Sequence, residues 1–289
     1  MYAAQSCFIP AKRLKFEGCL ADNSIEEAMA RIITVANQKG GVGKTTTSVN
    51  LAAAIAGKHN RVLLVDLDPQ GNATMGCGVN KHTLENSCCD VLLGEARLHE
   101  AVIKLDKIGM DILPANADLT AAEVGLMDMP LREKRLSLAL EGAHDDYDYI
   151  FIDCPPSLNM LTINALVASG GVLVPLQTEY YALEGLSALM KTIEQLKISR
   201  NPDLQLEGIL RTMHDPRNNL AIEVSAQLIT HFKDKVFNTV IPRNVRVAEA
   251  PSHGLPVFMY DKSSRGAVSY LALASEVLRR HEQCQPASA

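Results

Sequence analysis

The chain has 289 residues, 47% of them hydrophobic and 21% charged, and a formal net charge of −5. That length is near the upper size for one core, its apolar content is ample for a sheet covered on both faces, and its acidic balance excludes a wholly basic nucleic-acid binder, so any such contact must come from a local patch. No stretch is long enough to span a membrane, and seven cysteines without a C-x-x-C pair read as reduced thiols rather than metal ligands.

In chain order, residues 1–28 carry two cysteines and no clear period, and they precede Met29-Ala30-Arg31, which reads as a natural start just before the first strand. A poorly ordered extension is expected there, and Asp22, Glu26 and Glu27 argue against a transit peptide. An apolar strand at 32–37 leads into Asn37-Gln38-Lys39-Gly40-Gly41-Val42-Gly43-Lys44-Thr45-Thr46-Thr47 and then an Ala-rich helical pattern from Ser48 to Ala56. A glycine-rich loop between strand and helix is a cradle for nucleotide phosphates. Gly40, Gly41 and Gly43 let backbone N–H groups, including those of Val42 and Thr46, approach phosphate oxygens, and the helix start adds partial positive charge. Lys44 would neutralise the β- and γ-phosphates and the Thr45 hydroxyl would hold Mg²⁺. The generic loop has a glycine where this chain has Gln38, and Lys39 is an additional cation.

A second strand at 62–66 ends in Asp66-Leu67-Asp68-Pro69-Gln70-Gly71. A carboxylate at the end of a strand beside the loop can orient attacking water or hold a magnesium-bound water, although an ordinary strand-end turn has the same composition. After a short run at 111–113, the strand 149–153 ends in Asp153, which would bind Mg²⁺ through Thr45 or water, and Pro155 and Pro156 stop it. Apolar runs at 172–176, 205–212 and 237–241 complete a series in which strands alternate with helical patterns. The expected fold is α/β: a doubly wound, mostly parallel sheet with helices on both faces, in one domain over 29–282, with the nucleotide at the carboxyl ends of the strands. Between Arg200 and Arg246 seven basic residues stand against five acidic ones, a local excess in an acidic chain, and the polar residues 283–289 are expected to form a flexible tail.

A lysine directly before Gly-Gly-Val-Gly-Lys-Thr resembles the deviant Walker A group of P-loop ATPases. Glu179-Tyr180-Tyr181-Ala182-Leu183-Glu184-Gly185 and the run from Val240 to Ser252 narrow the resemblance to the ParA/Soj family of chromosome- and plasmid-partitioning proteins, over residues 30 to 281. The resemblance implies slow ATP hydrolysis with Mg²⁺ and a homodimer in the ATP state, with Lys39 reaching the partner's nucleotide. It gives Asp68 the hydrolytic role, makes the Pro155-Pro156 turn a sensor of the γ-phosphate, and sets Met213, Pro242 and Asn244 near the adenine. It also implies nonspecific binding to double-stranded DNA through Arg217, with Lys233, Lys235, Arg246 and Arg265 as further candidates, and stimulation by a ParB-like centromere-binding partner. Glu194 departs from a basic position of the relatives. A cytoplasmic, nucleoid-associated protein is implied. After Ser275 to Arg280 the residues His281 to Ala289 are polar and Pro-broken with no apolar face, unlike the membrane helix of MinD, and the continuous match argues against a metabolic ligase on the same fold.

Overall fold

The computed structural model describes residues 30–284; the expected extension at 1–28 and the tail beyond residue 284 lie outside them. In chain order the elements are β1 (Arg31–Val35), α1 (Lys44–Ala56), β2 (Val62–Asp66), α2 (Asn72–Gly76), α3 (Cys88–Leu93), α4 (Leu98–Ala101), β3 (Ile103–Leu105), β4 (Met110–Leu113), α5 (Leu119–Met127), α6 (Arg135–Leu140) and β5 (Tyr149–Asp153). There follow α7 (Met160–Ala168), β6 (Gly171–Gln177), α8 (Ala182–Ser199), β7 (Gln205–His214), α9 (Asn219–Phe232), β8 (Val236–Pro242), α10 (Val245–Glu249), α11 (Val257–Tyr260) and α12 (Arg265–Cys284). The strands form one sheet in the order β3-β4-β2-β5-β1-β6-β7-β8. Neighbours are parallel except for β3 against β4.

Helices on both sides explain why the strands read as near-continuous apolar runs. Ile150 and Ile152 of β5 pack into a core with residues of α5, α7 and α8, while Tyr149 and Phe151 face a second core with α1 and α12. Each fully buried side chain of this size contributes ~1.5–3 kcal/mol relative to exposure. The helix α1 is favoured by its alanines. Elsewhere polar caps start the helices, as where Ser87 Oγ accepts the Cys89 N–H at 3.2 Å and Asp90 accepts the Ser87 N–H at 2.7 Å.

Several strand ends shift by one or two residues, and three differences from expectation are informative. The first strand ends at Val35, not at 37, because the Asn37 side chain turns the chain: its Oδ1 accepts the Lys39 N–H at 3.0 Å and its Nδ2 donates to the Pro175 carbonyl at 2.8 Å. The three-residue edge strand β3 was not expected. Helix α12 continues through Cys284, so residues 283 and 284 belong to a helix and not to a flexible tail.

The register fixes the site. Val35 of β1 and Asp66 of β2 both pair with Asp153 of β5 in adjoining positions, so three strand ends lie side by side. This is the carboxyl edge of a parallel sheet, where the loop after β1 begins.

Candidate active site

The loop enters α1 through Gly43, whose φ of 86° lies in the left-handed region, and no side chain caps the helix. The first-turn N–H groups are therefore offered to an anion. Lys39, Gly40 and Gly41 are exposed, whereas Lys44 is buried and donates from Nζ to the Lys39 carbonyl at 3.1 Å. Burial pushes the Lys44 ammonium down, and Asp153, Cys154 and Asp68 oppose this with their charges. The cation thus sits among the carboxylates that a phosphate-bound metal would use.

Asp153 is fully buried. Its Oδ1 accepts the Ser48 hydroxyl at 2.9 Å, while Oδ2 is buried with no hydrogen-bond partner among the described residues. Burial and the neighbouring Asp66 push its carboxyl up, against the hydroxyls of Thr45 and Ser48. An orphaned buried carboxylate oxygen needs a donor or a cation, and hard oxygen donors beside a phosphate cradle fit Mg²⁺ with its water shell. Ser48 was missed in the sequence; its position one turn after Lys44 on the same helix face was the available signal.

Asp66 and Asp68 separate by their partners. Asp66 is saturated: Oδ2 accepts the Thr74 N–H at 2.8 Å and the Thr74 hydroxyl at 2.7 Å, and Oδ1 accepts the Asp68 N–H at 3.2 Å. Burial is the main force raising its carboxyl, to about 6. Asp68 accepts only the Gln70 N–H, at 2.9 Å on Oδ1, among the described residues. Its carboxylate therefore keeps acceptor capacity, its charge acts on Lys44 of the loop, and Asp66 accepts the N–H that fixes the turn at Asp68.

Lys39 is ion-paired with Glu179 of its own chain, next to the exposed and edge-to-face Tyr180 and Tyr181, whose ring centroids are 5.0 Å apart. On the other side, the Thr212 hydroxyl donates to the Val42 carbonyl at 2.8 Å and ties the tip of β7 to the loop. Met213 follows in a left-handed conformation with φ 48°, a strained geometry of the kind that concentrates at functional sites. His214 pairs in register with Pro242, so Met213 and Pro242 share the tips of adjoining strands. The Asn244 side-chain oxygen Oδ1 caps α10 by accepting the Val247 N–H at 3.2 Å, and its amide NH₂ is a donor suited to a ligand.

The basic candidates do not form one patch. Arg217 follows β7, Arg246 follows β8, and Arg265 starts α12, whose second residue Gly266 has room for no Cβ against Val247. All three are at the carboxyl edge. Lys233 and Lys235 precede β8 and line a cleft of about 1090 Å³ with Arg31 and Glu207, at the amino edge. A strand of seven residues at roughly 3.3 Å per residue separates the two groups by about 20 Å. Arg217 pairs with Asp215, and Arg246 pairs with Glu249 and Asp261.

An AAA domain family matches residues 30–206. The sporulation initiation inhibitor protein Soj of Bacillus subtilis is 53% identical over 249 residues, covering 86% of this chain and 98% of that protein. The chromosome partitioning protein ParA of Caulobacter vibrioides is 49% identical over 261 residues, covering 90% and 98% respectively. The chain belongs to the ParA/Soj family. Among solved structures, a cobyrinic acid a,c-diamide synthase of Mycobacterium smegmatis with bound ATP analogue and magnesium superposes with a TM-score of 0.78 at 38% identity, over 89% of this chain and 97% of that one. The ParA/Soj membership accords with the sheet order, the uncapped α1 and the strand-end carboxylates, which follow from this chain's own residues. Among the described residues no helix is long and apolar enough to cross a membrane.

Proposed function

We propose that this ParA/Soj member is an Mg²⁺-dependent ATPase that dimerises on ATP, binds DNA without sequence preference in that state, and is released when a ParB-like centromere-binding partner stimulates hydrolysis. It would thereby segregate chromosome or plasmid DNA in the cytoplasm, on the nucleoid. One observation carries the nucleotide part: Lys44, Asp68 and Asp153 converge on the uncapped start of α1, with one Asp153 oxygen left unsatisfied. Thr45, Asp68 and Asp153 are the residues suited to hold Mg²⁺, which would supply charge neutralisation when bound.

In this reading the first-turn N–H groups and Lys44 hold the phosphates. Asp68 accepts a hydrogen bond from the water that attacks the γ-phosphorus in line, and ADP leaves as phosphate forms. Lys39 would exchange Glu179 for the nucleotide of the second subunit. Met213, Pro242 and Asn244 would flank the base. The strongest support for a partitioning role, over a synthase on the same fold, is 53% identity to Soj along nearly its whole length.

The test is binding to a nonspecific duplex with ATP, ADP or no nucleotide, using Asp68→Ala to block turnover and titrating salt. Binding that needs ATP and weakens steeply with salt is expected. No binding in any state at low salt would remove DNA as the partner. Fast ATP turnover only with a small-molecule acceptor would move the assignment to a metabolic ligase on the same fold.

A further inference from the structure

Asn50 lies inside α1, one turn after Thr46, and is only 3% exposed. A buried polar side chain in a helix interior is costly unless both its ends are paired. Here both are: Nδ2 donates to the Thr46 carbonyl at 2.8 Å, and Oδ1 accepts the Val257 N–H at 2.7 Å, across 207 residues of sequence. One partner belongs to the first turn of the phosphate-facing helix. The other is the first residue of α11, whose N-cap, Pro256, provides no side-chain hydrogen bond.

The segment that Asn50 reaches is tied together internally. The Tyr260 hydroxyl of α11 donates to Glu249 at 3.3 Å, Arg246 of α10 pairs with Glu249 and with Asp261, and Gly266 of α12 admits Val247 and Asn244. It also bears on the arm that follows Asp68. Gly78 and Gly254 both have left-handed φ, and a Cβ on Gly254 would stand 2.5 Å from the Gly78 Cα. The 244–260 segment is therefore anchored without Asn50. What Asn50 adds is a two-ended polar link from the first turn of α1 to α11, which lies between α10 with Arg246 and α12 with Arg265.

We propose that Asn50 is a positioning residue that passes the nucleotide state of α1 to the 244–260 segment. Phosphate oxygens that engage the first-turn N–H groups draw on that turn, and a side chain hydrogen-bonded at both ends transmits the displacement to Val257 instead of absorbing it. The inference rests on the ATP and DNA reading above, and predicts that ATP binding and its consequence at the carboxyl edge can be separated by one side chain.

The decisive variant is Asn50→Asp in the full chain. It keeps an acceptor for the Val257 N–H but, when ionised, sets a second carboxylate oxygen against the Thr46 carbonyl, so the cap survives and the link breaks; the measurements are made at pH ~8.5 so that the carboxyl does not protonate and donate to Thr46. Asn50→Leu removes both bonds. Amide hydrogen exchange over 244–260 with and without Mg-ATP, nucleotide affinity by a fluorescent ATP analogue, and duplex DNA affinity in ATP against ADP are measured together. Wild type should show an ATP-dependent change in exchange at Val257 and at least a fivefold ATP-over-ADP preference for DNA, about the lower end of ordinary allosteric coupling. Asn50→Asp should lower the thermal midpoint, because one carboxylate oxygen is left buried and unpaired, but remain folded at 25 °C and bind ATP within about threefold, while losing the exchange response and most of that preference. If Asn50→Asp retains the exchange response, Asn50 is a cap only and the proposal is overturned; this holds even where Asn50→Leu fails to fold. If wild type shows no ATP-dependent DNA binding, the functional reading fails, while the exchange response at 244–260 still decides the role of Asn50.

Discussion

Asp66 and Asp68 have the same chemistry two positions apart, and the structure gives them different partners. Asp66→Ala would orphan the Thr74 N–H, the Thr74 hydroxyl and the Asp68 N–H in a buried turn. Each unsatisfied buried donor costs ~1–3 kcal/mol. With ~2–4 °C per kcal/mol for a domain of this size, the midpoint should fall by ~5 °C or more. Asp68→Ala frees only the Gln70 N–H, on an exposed residue that water can serve, so its midpoint should stay within ~2 °C while ATP turnover drops ~10²-fold or more. Thermal denaturation and a phosphate-release assay check both, and wild-type turnover in Asp68→Ala would end the assignment. The sequence alone could not separate the two. The resemblance favoured Asp68, but the physical reason, Thr74 closing over Asp66 from the next helix, is a tertiary contact. Lys44, Thr45 and Asp153 were legible because the loop and the strand-end acid are local patterns, whereas Ser48 offered only a helical spacing.

Seven of the eight strands were legible within one or two residues, because burial on both faces turns each into an apolar run that composition exposes. The exception, β3, is three residues with an exposed Lys104 at its centre, too short to show a period. Junctions between elements left no trace in the sequence. At one of them, His281 of α12 joins the starts of β5 and β7: its Nδ1 is 3.0 Å from the Tyr149 hydroxyl and its Nε2 is 2.7 Å from Glu207 Oε1. Burial alone would raise the Glu207 carboxyl, but the hydrogen bond with His281 and the charges of His281, Lys235 and Arg31 outweigh it and hold the group below its ordinary value of 4.5. A carboxylate depressed in the folded state stabilises above that ordinary value, and the contribution is lost as pH falls through the lowered one. Thermal midpoints should therefore decline as pH falls below 4.5. Glu207→Gln should be less stable at pH ~7 by ~1–3 kcal/mol and show a shallower acid limb. An acid limb identical to wild type would mean that the pair contributes nothing.

At the scale of the molecule, the parallel sheet sorts the basic residues more strictly than the sequence could. A count from Arg200 to Arg246 merges cations that β8 holds apart, with Lys233 and Lys235 before the strand and Arg246 after it. Of the five DNA candidates, Arg217, Arg246 and Arg265 lie at the edge that carries the phosphate loop, while Lys233 and Lys235 do not. The ion pairs of Arg217 with Asp215 and of Arg246 with Glu249 and Asp261 are solvent-screened and can yield to phosphate oxygens. Replacing these three arginines by alanine should weaken ATP-dependent duplex binding by tenfold or more at ~0.1 M salt and flatten the salt dependence by ~0.9 per lost phosphate contact, since each contact releases counterions. Because an ATP dimer would present the set twice, the loss is expected to compound. Lys233→Ala with Lys235→Ala should leave affinity within about twofold and the slope unchanged, because a duplex lying on one edge of the sheet cannot reach the other. The reverse result, with the lysines carrying the slope, would put DNA at the amino edge beside Arg31. Nucleotide control would then have to travel the full length of the strands instead of crossing from α1 to its neighbours.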